Sequence, residues 1–85
     1  MTNASAIPSD WSEKRQAAAR WFIADVTKMA RMIVNPDAVN VDVEISESGQ
    51  ISVTAESRLY YAFGCCFIGP RGGILHRRDH RGVNF

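Results

Sequence analysis

The chain has only two cysteines among its 85 residues, and they are neighbours, Cys65 and Cys66. Adjacent cysteines cannot bridge each other without a strained ring, and no third exists, so no intrachain disulfide framework is expected. A reduced, cytoplasmic chain is the expectation. Long hydrophobic runs are missing too. The longest apolar-rich stretch, Leu59 to Ile68, falls well short of the ~20 residues a membrane helix needs. Met1 to Pro8 is short and polar, without an apolar secretory segment. No membrane partner is expected. Net charge is also scarce: ten Lys/Arg against nine Asp/Glu leave +1. That excludes a generally cationic nucleic-acid coat, so any electrostatic binding must be local.

Catalytic signals are equally sparse. No Gly-Lys-Ser/Thr phosphate loop or dinucleotide fingerprint occurs, and no paired carboxylates bracket a cleft. Nucleophilic catalysis needs a thiol or hydroxyl beside an oriented base. Cys65 and Cys66 instead lie in an apolar run, where burial makes thiols inert core filler. His76 and His80 are four apart, a zinc-site spacing on a helix, but adjacent cysteines do not match the usual C-x₂₋₄-C knuckle. The expectation is a non-enzymatic protein with no metal and no cofactor.

What the chain does contain is one strong helical pattern followed by alternating strands. Asp10 with Glu13 fits a capping box, with Ser9 as the other candidate cap. Trp11, Ala18, Phe22, Val26, Met29 and Ile33 then form an apolar stripe at 3.6 residues per turn. Glu13, Gln16, Arg20, Thr27 and Arg31 fall on the opposite face. Asn35-Pro36 ends the run, because the residue before proline is pushed out of helical geometry. The helix is expected over 11–34, after a flexible 1–9. Trp21 and Met32 sit about 80–100° from the stripe centre at 100° per residue. They pack at the sheet margin or form a second interface.

Residues 39–56 read as a β-hairpin. Val39, Val41, Val43 and Ile45 alternate with polar residues, Glu47-Ser48-Gly49-Gln50 turns, and Ile51, Val53 and Ala55 alternate again. Leu59 to Ile68 is rich in β-favouring aromatics, with Gly64 marking a bulge or close approach. Gly69-Pro70-Arg71-Gly72-Gly73 is a turn signal. Ile74 to Arg78 returns as a fourth strand, and Asp79 to Gly82 turns into a short tail. The fold class expected is α+β in a single domain 1–85: one long N-terminal helix on an antiparallel sheet of three to four strands within 39–85.

A second reading starts from Ile68-Gly69-Pro70-Arg71-Gly72. This segment resembles the I-G-x-x-G loop of KH domains, and the helix ending at Asn35-Pro36 with its following hairpin resembles the opening of bacterial single-KH (type II) proteins. The resemblance covers residues 23–75 at most and leaves only thirteen residues after the loop. It implies a truncated KH-like fold in which that loop, between two short helices, clamps single-stranded RNA.

Charge is unevenly divided. Residues 1–58 carry six Lys/Arg against eight Asp/Glu, while 59–85 carry Arg71, Arg77, Arg78 and Arg81 against Asp79 alone. This concentrates binding capacity near the C-terminus, since arginine forks suit phosphates, carboxylates and protein interfaces. Two function classes follow. In the first, a small regulator or inhibitor binds a protein or ribonucleoprotein, with Trp21, Met32, Tyr60 and Tyr61 as anchors and the arginines as rim. It is similar in type to host-takeover proteins of phages and mobile elements, anti-CRISPR inhibitors included. In the second, the Gly69–Gly73 loop and the arginines bind RNA or single-stranded nucleic acid. The wide apolar sector and thin core also point to a homodimer through Trp21, Met32 or the sheet's edge.

Overall fold

The computed structural model describes residues 7–31, 40–57 and 60–83. The expectations for Met32, Ile33, Asn35-Pro36, Val39 and Leu59 lie outside them. Helix α1 spans Glu13–Arg31, and strands β1 (Asn40–Ile45), β2 (Gln50–Glu56), β3 (Tyr60–Ile68) and β4 (Ile74–Val83) follow. They form one antiparallel sheet in the order β1-β2-β3-β4, with α1 packed on β2 and β3. This is the expected α+β arrangement.

The helix starts later than the capping-box reading places it. Trp11 N–H donates to Pro8 O, so Asp10 lies in a turn. Ser12 Oγ instead accepts from Arg15 N–H at 3.2 Å, which makes Ser12 the cap. Ala19, Phe22, Ile23 and Val26 are buried beneath the helix, and Met29 packs partly against them. Thr27, expected on the solvent face, is buried. Its hydroxyl donates to Ile23 O at 2.7 Å, so it enters the core without an unmet hydrogen bond.

The first hairpin closes as its sequence dictates. Gly49 N–H donates to Ser46 O, and Gly49 adopts φ +106°, a conformation open to glycine. Val43 pairs with Val53 and Ile45 with Ile51, so both strands present their β-branched residues to the helix. On β3 the residues facing the helix are small: Ala62, Gly64 and Cys66, ending in Ile68. Gly64 marks a close approach here, because a Cβ on it would lie 2.5 Å from Val26 Cγ2.

Strand β4 departs from expectation at both ends of its basic stretch. It runs through Asp79 to Val83, with Asp79 opposite Gly64 and Gly82 opposite Tyr61, in place of the expected turn from Asp79 to Gly82. The pairing also shifts between Cys65 and Phe67, since Cys65 opposes Arg78 while Phe67 opposes Leu75. One extra β4 residue is accommodated there, and His76 takes φ 54° within it. The Gly69–Gly73 segment is a tight connection between two strands. Gly72 N–H donates to Gly69 O and Gly69 N–H to Gly73 O, so the loop does not join two helices as the KH resemblance implies.

Candidate docking face of the sheet

Because side chains alternate along each strand, helix packing on one face fixes what the other face carries. The face turned from α1 holds Asn40, Asp42 and Glu44 on β1, Gln50, Ser52, Thr54 and Glu56 on β2, and Tyr61, Phe63, Cys65 and Phe67 on β3. On β4 it holds Leu75, Arg78 and His80. Among the described residues no helix or loop lies over it. The four β3 side chains are half-buried, and Leu75 is 49% exposed. An aromatic row on a central strand without a covering layer is the kind of apolar surface that marks an interaction site.

The register arranges this face in rows that cross the sheet. One row reads Glu44, Ser52, Cys65, Arg78, and the next Asp42, Thr54, Phe63, His80. Acidic groups therefore occupy the β1 edge and basic groups the β4 edge, with the β3 aromatics Phe63 and Phe67 beside Thr54 and Gln50 on β2, and Tyr61 beside Glu56. Tyr61 lies across Gly82, where a Cβ would sit 2.8 Å from its Oη, and that oxygen is 2.8 Å from His80 Nε2. A shallow concavity of about 470 Å³ opens between Ser52, Cys65, Phe67, Leu75 and His76.

The sequence-predicted site residues do not gather in one place. Tyr61 and Arg78 belong to this face. Tyr60 and Arg81 fall on the helix side of β3 and β4, and Arg71 is exposed in the β3–β4 turn. Trp21 is 54% exposed on α1, and Met32 lies outside the described residues.

Arg77 is committed to the fold. It reaches from β4 to α1, pairs with Asp25, and donates Nε to Asp79 Oδ2 at 2.9 Å. Its guanidinium lies 5.1 Å from the Phe22 ring centroid. Burial works against its charge, but the hydrogen bonds to Asp25 and Asp79 outweigh burial and raise its pKa above the ordinary arginine value.

Phe63, Phe67 and Cys65 do not stand out as site residues in the sequence, although a signal is present. Across 60–68 the small residues Ala62, Gly64 and Cys66 alternate with large ones, and the small phase is the one the helix covers. Cys65 is accordingly not core filler. Only Cys66 is buried, and burial pushes its thiol up to about 11. Arg15, also unremarked in the sequence, clamps the helix start to both turns. It donates to Ile68 O at 3.0 Å and Ser48 O at 3.4 Å while stacking 4.2 Å from the Trp11 ring centroid.

Among the described residues no group of three or more His, Cys, Asp or Glu is placed to hold a metal ion, and no helix is long and apolar enough to cross a membrane. Compared with protein-family models, with curated proteins and with solved structures, the chain matches none.

Proposed function

We propose that the chain is a small non-enzymatic regulator or inhibitor that acts by binding a protein, alone or within a ribonucleoprotein, through the open face of its sheet. The carrying observation is the row Tyr61, Phe63, Cys65, Phe67 on the central strand β3, with nothing over it among the described residues. Aromatic anchors ringed by charge are how protein interfaces concentrate their affinity. Arg78 and His80 supply one rim, Asp42 and Glu44 the other. Two free thiols fit a reducing compartment such as the cytoplasm as the place of action.

The charge layout favours protein over nucleic acid. Single-stranded nucleic acid is gripped by stacking aromatics within a uniformly positive groove, whereas Asp42, Glu44 and Glu56 border this face on the β1–β2 side. The Gly69–Gly73 turn is closed by its own hydrogen bonds and by Ser12 Oγ, which donates to Pro70 O at 3.0 Å. A closed turn leaves its amides less free for phosphates.

The test is affinity capture from source cells with and without nuclease, using the native chain and the Phe63→Thr/Phe67→Thr variant. Threonine keeps β-propensity while removing the rings. The proposal expects a nuclease-resistant protein that the variant fails to retain. Retention by the variant, or loss of the partner on nuclease treatment, would count against it.

A further inference from the structure

We propose that the protein occupying the open face is a second copy of this chain, packed face to face about a two-fold axis parallel to the strands. This rests on reading that face as a docking surface, and it adds the identity of the partner. The face is self-complementary in charge at its edges, as an isologous interface demands.

A two-fold axis lying between two such faces and parallel to the strands turns one copy over and exchanges its left and right. Strand β1 of one copy then stands above β4 of the other, and β2 above β3. Height along the strands is unchanged, so each cross-strand row lies over the same row of the partner copy. In the row Glu44, Ser52, Cys65, Arg78, Glu44 meets Arg78 of the partner copy. In the row Asp42, Thr54, Phe63, His80, Asp42 meets the partner copy's His80, and the Phe63 ring sits over the short Thr54 side chain. In these two rows acid faces base at both edges. Large faces small in the middle of the Asp42 row, small faces small in the Glu44 row, and in the third row Glu56 comes over the partner copy's Tyr61.

The other in-plane axis fails this test. Perpendicular to the strands, it sets β1 over β1 and brings acid against acid, a juxtaposition that suppresses association. Aligned sheets also rotate by about 30° as they pack, roughly 10 Å apart. At the edge strands that rotation slides the rows by about one residue. Asp42 and Glu44 are both acidic, and Arg78 and His80 are both bases, so the complementarity survives the slide.

Size sets the strength. Four strands ~4.8 Å apart and ~20 Å long present roughly 400 Å² in plan, below the ~800 Å² per partner of a standard interface. The dimer is therefore a weak, transient one, and it leaves both helices outward.

The experiment is sedimentation velocity over a micromolar-to-millimolar series on the native chain, on Glu44→Arg, on Arg78→Glu, and on an equimolar mixture of the two variants. Residues 44 and 78 lie on opposite edge strands of one chain, so exchanging their charges leaves the helix-side core untouched. Each variant alone places like charges at both contacts and should dimerise at least about tenfold more weakly. In the mixture, the chain carrying Glu44→Arg presents arginine at both edges and the chain carrying Arg78→Glu presents glutamate at both. Every edge contact between them then pairs opposite charges, and the mixture should recover the native dimer as a heterodimer. A native chain that stays monomeric at every concentration overturns the proposal. So do variants that dimerise as well as the native chain, or a mixture that recovers nothing. Those results leave the docking reading standing if the Phe63→Thr/Phe67→Thr variant still loses a nuclease-resistant partner, so the two failures are distinguishable.

Discussion

Gly64 on β3 lies directly beneath Val26 on α1, so close that a Cβ at Gly64 would come within 2.5 Å of Val26 Cγ2. The same atom would lie 3.1 Å from Phe22 Cζ. Glycine here is a packing requirement. Neither the turn logic nor the positive φ of Gly49 applies at this position.

Gly64→Ala should therefore destabilise by about 1–3 kcal/mol, the usual cost of overpacking a filled core. In a chain of this size that lowers Tm by roughly 4–8 °C per kcal/mol. Adding Val26→Ala should recover part of the loss, since the two side chains would share one space and their effects would not add. Thermal denaturation of the two single variants and the double variant checks this. Strict additivity would show that the contact is not what fixes the helix.

Arg77 and Arg78 should separate cleanly. Arg77→Ala breaks the bridge to Asp25 and Asp79, and a double-mutant cycle with Asp25→Ala should give a coupling of about 1 kcal/mol, modest because both partners are partly exposed. Arg78→Ala, on the open face, should shift Tm little and weaken association. Urea melts of both variants measure the difference.

Cys66 predicts a pH dependence. Its folded-state pKa, about 11, stands above the ordinary thiol value of 9.0 because burial disfavours the thiolate. The protonated form is thus preferred in the folded chain. The stability this supplies is complete below about pH 9 and is lost as pH rises through about 11. Allowing for solvent screening in so thin a core, it amounts to about 1–2 kcal/mol. Cys66→Ala should flatten that part of the Tm profile, between about pH 9 and pH 11. An unchanged slope would place the titrating group elsewhere. Cys65, half-buried on the open face, should be alkylated by iodoacetamide before Cys66 in the folded chain.

The architecture was legible because helix and strand periods are strong in this chain. Phe22 and Val26 announce the helical stripe, and Val41, Val43, Ile51 and Val53 the hairpin. The site was less legible because residues 60–68 are apolar in both phases. Periodicity alone does not say which phase faces the helix; the close packing of Val26 on Gly64 decides it. The β4 stretch misled for a related reason. Asp79-His80-Arg81-Gly82 has turn composition, yet Asp79 is held in the strand by Arg77, a contact between neighbouring positions on one face that local propensity does not encode. Arg77 itself looked like its neighbours Arg78 and Arg81, and only the helix residue Asp25, fifty-two positions away, assigns it to the fold. The open face was hidden for a further reason, since composition counts aromatic residues without saying what covers them.

On this proposal the sheet face turned from α1 is where this chain meets protein, a second copy of itself first of all. A dilution series followed by amide chemical shifts tests it most directly. The prediction is that Ser52, Thr54, Phe63, Cys65, Phe67 and Arg78 shift together with concentration while Arg20, Ala24 and Lys28 on the outer side of α1 stay fixed. Shifts centred on Trp21 and the helix, with β3 unmoved, would contradict it.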